Sequence, residues 1–149
     1  MTTFEKIEVD IQKAQTARDV LTLSVLRLVK SALHNFAIEK RKKDTGLSEE
    51  DTIAVLGTQA KQRKDSIAAY EKGGRSDLAE KEKNELAIIS RYLPPQLPDE
   101  EIKKVVHRVV ESVGAGADSF GAVMGRSMAE LKGRADGAAV SRIVKEVLG

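Results

Sequence analysis

Cysteine and tryptophan are both absent from this chain of 149 residues, which has only three phenylalanines and two tyrosines. Without cysteine, disulfide bonds, thiol catalysis and zinc–thiolate sites are excluded. So few aromatic side chains argue against a platform on which single-stranded bases would stack. A large excess of one charge sign is missing too, because 25 basic residues stand against 23 acidic ones. Any contact with nucleic acid must therefore come from a local basic patch.

Long apolar runs are also missing. No segment approaches the roughly 20 apolar residues that a membrane-spanning helix needs. The N-terminal sequence MTTFEKIEVD has acidic residues where a secretory signal peptide has basic residues before an apolar core. These absences predict a protein without a membrane segment, located in the cytoplasm.

The sequence motifs of common catalytic and cofactor sites do not occur. There is no G-x-x-x-x-G-K-[ST] phosphate loop and no Gly-x-Ser-x-Gly nucleophile turn. Residues 114–119 resemble a dinucleotide fingerprint only in part, since the sixth position is Ser119 and no strand precedes them. His34 and His107 lie on opposite sides of a proline cluster, whereas a metal site needs three or four converging ligands. We therefore predict no catalytic residue, no metal site and no cofactor.

All three prolines of the chain, Pro94, Pro95 and Pro98, fall within five residues. Proline fixes its own φ and pushes the preceding residue out of the helical region. The cluster therefore predicts a stiff connector at residues 94–98. It would join an N-terminal helical domain, residues 1–93, to a C-terminal domain, residues 99–149.

Helical periodicity of apolar residues is present on both sides of this connector. The first part predicts four helices, starting after Thr2, Asp19, Ser48 and Asp77, and the second of these helices is the most apolar. The second part predicts three shorter helices. The valines of residues 102–113 are spaced alternately by three and one, which fits a helix face and not a strand. The predicted fold is all-α, with a four-helix bundle-like domain followed by a small three-helix domain.

Two basic clusters belong to the first part. One includes Arg41 and Lys42 at the end of the second helix, where cations complement the helix dipole and need no ligand to explain them. The other comprises Lys61, Arg63 and Lys64 on the third helix, and we interpret it as a solvated face.

A third basic cluster lies in the C-terminal domain and has more of the features of a site. It comprises Arg126, Lys132, Arg134, Arg142 and Lys145. Asp136 is the predicted N-cap of the last helix, so the turn before it presents free backbone N–H groups that can bind a phosphate. Gly121 and Gly125 lie four residues apart on one helix face. They fit either close helix packing within the domain or the close approach of an RNA.

The chain also resembles the YqeY protein family in several motifs that follow one another in order. The motifs are Lys61-Gln62-Arg63-Lys64-Asp65-Ser66 with Tyr70, Gly74-Arg75-x-Asp77-Leu78, Tyr92-Leu93-Pro94-x-Gln96-Leu97, and Gly121-x-Val123-Met124 followed by Lys132-Gly133-Arg134-Ala135-Asp136. A similar module forms the tail of the B subunit of the tRNA-dependent amidotransferase. That tail has Asn-Pro where this chain has Asp136-Gly137.

The resemblance implies a role in gripping tRNA, with glutamine-dependent amide transfer left to a partner. We expect a non-catalytic protein that binds tRNA or another structured RNA. The residues expected to contact RNA are Arg126, Lys132, Gly133, Arg134, Arg142, Arg41 and Lys42. The alternative is an adaptor that docks on an amidotransferase or an aminoacyl-tRNA synthetase without binding RNA itself.

Overall fold

The computed structural model describes residues 1–41, 46–114 and 119–149. Within these residues the chain forms seven α-helices and no strand, which confirms the all-α prediction. The helices are α1 (Thr3–Ala17), α2 (Val20–Glu39), α3 (Glu49–Lys72), α4 (Ser76–Ser90), α5 (Asp99–Val113), α6 (Phe120–Leu131) and α7 (Gly137–Leu148). The chain divides into two compact units, Met1–Leu93 and Pro94–Gly149. No helix in the described part of the chain is long and apolar enough to cross a membrane.

Three helices of the first unit begin at the predicted caps. At α1, the Thr2 hydroxyl accepts the Glu5 N–H at 3.1 Å, and the Glu5 carboxylate accepts the Thr2 N–H at 3.1 Å. Asp19 caps α2 and Ser48 caps α3 in the same way, each accepting an N–H three residues ahead. Each cap satisfies a backbone donor that the helix itself leaves free.

Helix α4 begins differently from the prediction. Its N-cap is Arg75, which makes no side-chain capping bond, and Asp77 lies in the first turn. The reason is the end of α3, where Gly74 has φ +73° and the Arg75 N–H donates to the Tyr70 carbonyl at 2.8 Å. This left-handed turn reverses the chain and starts α4 at once.

Helix α3 contacts the other three helices of the first unit, and helix α2 likewise packs against α1, α3 and α4. The buried side chains of α2 meet those of the other three helices in one core. The core contains Ile7, Val25, Leu26, Val29, Leu33, Val55, Leu56, Ala60, Ile88 and Ile89. The half-buried Tyr92 hydroxyl donates a hydrogen bond to the Asp10 carboxylate, which links the end of the first unit to α1. Burial and this hydrogen bond raise the pKa of Tyr92.

The second unit is a three-helix module in which each helix packs against the other two. Its own core contains Ile102, Val105, Val106, Val109, Val123, Leu131, Ala135, Val140, Ile143 and Val144. The proline-rich segment before α5 forms no helix. Its Leu97 N–H donates to the Arg134 carbonyl at 2.8 Å, and the Gln96 side chain donates to the Gly133 carbonyl at 2.9 Å. The turn between α6 and α7 is therefore held from outside as well as by its own bonds.

Candidate nucleic-acid interface

The turn from Lys132 to Asp136 joins α6 to α7. Lys132 (φ +40°) and Gly133 (φ +79°) both have left-handed backbone conformations, which end α6 and redirect the chain. Asp136 is the N-cap of α7, as predicted, and its Oδ1 accepts the Ala138 N–H at 2.9 Å. A carboxylate of the chain itself therefore occupies the N-terminus of α7. The predicted phosphate cradle at that helix end would have to compete with this negative charge.

Arg134 is exposed, but its guanidinium is engaged by the end of α6. Its Nε donates to the Leu131 carbonyl at 3.1 Å, and a terminal nitrogen donates to the Glu130 carbonyl at 3.0 Å. These carbonyls belong to the last turn of the helix and lack helical partners. The side chain thus caps α6 and holds the turn in shape, with its positive charge remaining at the surface.

Arg142 lies on α7, beside the start of α5. A terminal nitrogen lies 2.8 Å from an Asp99 carboxylate oxygen, and another lies 3.5 Å from Glu146. The hydrogen bond with Asp99 raises the pKa of Arg142 above its usual value. Two carboxylates compensate this arginine, which favours a stabilising role between α5 and α7 over contact with a phosphate.

Four cations of the second unit have no carboxylate partner among the residues described. Arg134 caps α6, and the Lys145 ammonium lies 6.0 Å from the centre of the Phe120 ring. The other two are Arg126 and Lys132. Arg126 projects from α6 toward α5, where its guanidinium donates to the Ser112 hydroxyl at 3.0 Å, a neutral group. Lys132 is exposed at the end of α6. Both charges are available to an anion.

Part of the exposed side of α6 has only small side chains. This part is formed by Gly121, Ala122, Gly125 and Ala129, and we call it the small-residue face; Arg126 and Glu130 are exposed beside it. A Cβ atom added at either glycine would meet no described atom within 4 Å. The packing interpretation of these glycines is therefore wrong for the part of the chain that the structure describes, where no other helix of the second unit lies against them. Arg126 flanks the face on the side of α5, and Lys132 lies at its C-terminal end.

The first unit contains two of the predicted RNA-binding residues, Arg41 and Lys42. Arg41 is exposed just beyond the end of α2, with φ +55°. Lys42 lies outside the described residues.

Arg63 was expected on a solvated face but is buried between α3 and α4. Its Nε lies 3.7 Å from a Glu85 carboxylate oxygen, and another nitrogen donates to the Gln59 carbonyl and side chain at 3.2 and 3.0 Å. A signal for this position was present in the sequence. Arg63 follows Leu56 by seven residues and Ala60 by three, and both of those residues belong to the core.

Comparison with known proteins links the chain to one family over almost its whole length. The family model described as Yqey-like protein matches residues 4–148. A protein of Pyrenophora tritici-repentis named "Altered inheritance of mitochondria protein 41, mitochondrial" is 29% identical over 147 residues, which are 97% of this chain and 80% of that protein. Proteins of the same name from Kluyveromyces lactis and Vanderwaltozyma polyspora are 39% and 34% identical. Their matches cover 68% and 70% of this chain, and 54% and 59% of those proteins.

The names of these relatives correct the cytoplasmic prediction, since each is called a mitochondrial protein. The prediction rested on the missing secretory signal and the missing membrane segment. Those features separate secreted and membrane proteins from internal ones, but they do not separate the cytoplasm from the interior of an organelle.

Proposed function

This chain belongs to the Yqey-like protein family, and from that premise we propose that it is a non-catalytic protein that binds tRNA or another structured RNA through its second unit. The family resemblance supplies tRNA as the candidate ligand. Amide transfer from glutamine, where the protein takes part in it, is the work of a partner protein.

The observation that carries the proposal is the small-residue face with its two uncompensated cations. A surface of glycine and alanine lets a ribose–phosphate backbone come close to the helix, because no long side chain stands in the way. Arg126 and Lys132 lie where they can neutralise phosphates on either side of that contact. Arg134 and Gly133 hold the turn that positions Lys132.

The composition of the unit supports a folded RNA over a single strand. Phe120 is the one aromatic residue between residues 94 and 149, so stacking of several unpaired bases has no platform. Contact with sugars and phosphates of a helical RNA requires no such platform.

The double variant Gly121→Ala/Gly125→Ala tests the proposal. Alanine is favoured over glycine inside a helix by about 1 kcal/mol per site, and the space is open, so thermal stability should rise. The two methyl groups would stand between α6 and the RNA, so the Kd for an in vitro transcribed tRNA should weaken about tenfold or more. Fluorescence anisotropy and thermal denaturation measure the two effects, which have opposite signs.

Gly57→Ala is the matched control. Gly57 lies within α3, where an added Cβ also meets no described atom within 4 Å, so this variant should gain stability and keep its RNA affinity. If the double variant binds RNA as tightly as the wild type, the proposed binding site is wrong.

The adaptor remains the second candidate, because ion pairs engage much of the basic surface of the second unit. Lys103 pairs with Glu146, Arg108 with Glu130, and Arg142 with Asp99. Capture of an amidotransferase or an aminoacyl-tRNA synthetase after complete nuclease digestion, together with no measurable affinity for tRNA, would select the adaptor over the RNA-binding protein.

A further inference from the structure

Helix α2 exposes an unusual amount of apolar surface on the side away from its core. In the described residues, five large apolar side chains are exposed, and four of them belong to this helix: Val20 (76%), Leu21 (38%), Leu28 (53%) and Ile38 (62%). A shallow groove of about 380 Å³ runs along the same side, between Val20 and Ser31. Core packing explains only one side of α2, so the other side requires its own explanation.

The exposed side has the spacing of a two-helix contact. Residues separated alternately by three and four positions form a single stripe, which we call the α2 stripe. It comprises Leu21, Ser24, Leu28, Ser31, Asn35 and Ile38, all of them exposed. This is the a and d repeat of a short coiled coil, with small residues at two of its six positions.

The α2 stripe is complementary to itself when a second copy runs antiparallel. Placing the two-fold axis midway between Leu28 and Ser31 sets each large residue against a smaller or an apolar one. Leu28 then lies opposite the Ser31 of the second copy, Leu21 opposite its Ile38, and Ser24 opposite its Asn35. Large side chains fill the space that serines leave, and the polar pair can share a hydrogen bond.

Charge favours the same orientation. Antiparallel helices bring the positive end of each dipole beside the negative end of the other, whereas parallel helices bring like ends together. The antiparallel arrangement also brings Asp19, the N-cap of α2, to the level of Lys40 of the second copy. Both side chains are exposed, and neither has an ion pair within the described residues. Arg27 flanks the stripe, where its aliphatic stem can cover apolar surface while its charge stays in water.

We propose that the α2 stripe is the contact surface of an antiparallel homodimer of this chain. Helix α2 has 20 residues and is about 30 Å long, so the interface is at the small end of those that hold stable dimers. The dimer should therefore be reversible, with monomer and dimer both populated at micromolar concentrations.

Cross-linking tests the register directly, because the chain has no cysteine of its own. Two single variants, Ser24→Cys and Asn35→Cys, are oxidised separately and as a mixture. In the proposed dimer, positions 24 and 35 face each other, and two copies of position 24 are about 16 Å apart. Only the mixture should give a disulfide-linked pair. Cross-linking of Ser24→Cys with itself, or no cross-linking in the mixture, would overturn the proposed register.

Sedimentation equilibrium tests the dimer without any cross-link. The full chain should show a mass that rises from one chain toward two with concentration. Leu28→Glu puts a carboxylate at the centre of the stripe, on a side chain already 53% exposed, and should weaken dimerisation at least tenfold while the protein stays folded. Ala68→Glu, at an exposed position of α3, adds the same charge elsewhere and should leave the dimer intact. A wild-type chain that stays monomeric into the millimolar range would overturn the proposal. The α2 stripe would then be a contact surface for a different protein.

Discussion

Asp19 shows how one side chain links helix capping to pH. Its carboxylate accepts the Thr22 N–H at 3.1 Å and the Thr22 hydroxyl at 2.8 Å. These bonds, the hydroxyl bond first, lower the pKa of Asp19 below its ordinary 3.8. Because the pKa is lower in the folded state, the stabilisation is present above pH 3.8 and is lost as the pH falls through the folded-state value.

Asp19→Asn should therefore be less stable than the wild type at pH 7, and the difference should disappear as the pH falls below the folded-state pKa of Asp19. Asparagine still caps the helix, so the variant removes the charge and keeps most of the geometry. Urea denaturation across this pH range measures the difference. Asp65→Asn, at an exposed position within α3, makes the same chemical change without a capping role and should show no such convergence. A stability difference between Asp19→Asn and the wild type that does not depend on pH would contradict the assignment.

At the level of the helices, the hairpin of α3 and α4 contains a buried ion pair that was not predicted from the sequence. The side chains of Arg63 and Glu85 are only 10% and 15% exposed, and they form an ion pair within the helix interface. Removing one member of a buried pair leaves a charge without compensation, which costs about 3–5 kcal/mol. Replacing both members with apolar residues avoids that cost.

Glu85→Ala should accordingly lower the free energy of unfolding by about 3 kcal/mol, and Arg63→Met/Glu85→Leu should lower it by much less. Thermal or urea denaturation of the wild type, of Arg63→Met, of Glu85→Leu and of the double variant gives the coupling energy of the pair. The matched control is the exposed pair of Lys83 and Glu71, 2.8 Å apart, where removal of one partner should cost less than about 1 kcal/mol. Equal losses of unfolding free energy at the two pairs would show that burial does not determine how much the Arg63–Glu85 pair contributes to stability.

The sequence predicted those elements that depend on neighbours along the chain. The caps at Thr2, Ser48 and Asp136 are confirmed because each capping bond spans only two or three residues. The start of α4 was wrong because the left-handed turn at Gly74 decided it. The spacing of Arg63 from Leu56 and Ala60 placed it on the core side of α3, but its partner Glu85 and the exposure of Gly121 depend on which helices pack together, and local patterns do not carry that information.

On the scale of the whole molecule, the distribution of charge decides how an RNA would be held. The net charge is only +2, so bulk attraction of a polyanion is weak. Ion pairs engage many of the cations of the second unit. The cations that remain beside the small-residue face are Arg126, Lys132 and the helix-capping Arg134. The proposed complex therefore neutralises about two or three phosphates, far fewer than a polybasic protein would.

Each neutralised phosphate contributes about −0.9 to the slope of log K against log salt concentration, so we expect a slope between roughly −2 and −3. Raising the salt concentration from about 50 to 200 mM should weaken tRNA binding roughly 15- to 60-fold. Lys132→Glu should weaken binding further and make the slope shallower by about one, whereas Lys81→Glu, an exposed site on α4, should change neither. Anisotropy titrations at several salt concentrations measure both quantities. A slope near zero would mean that phosphate contacts do not hold the RNA, and a slope beyond about −6 would require basic residues far from the small-residue face.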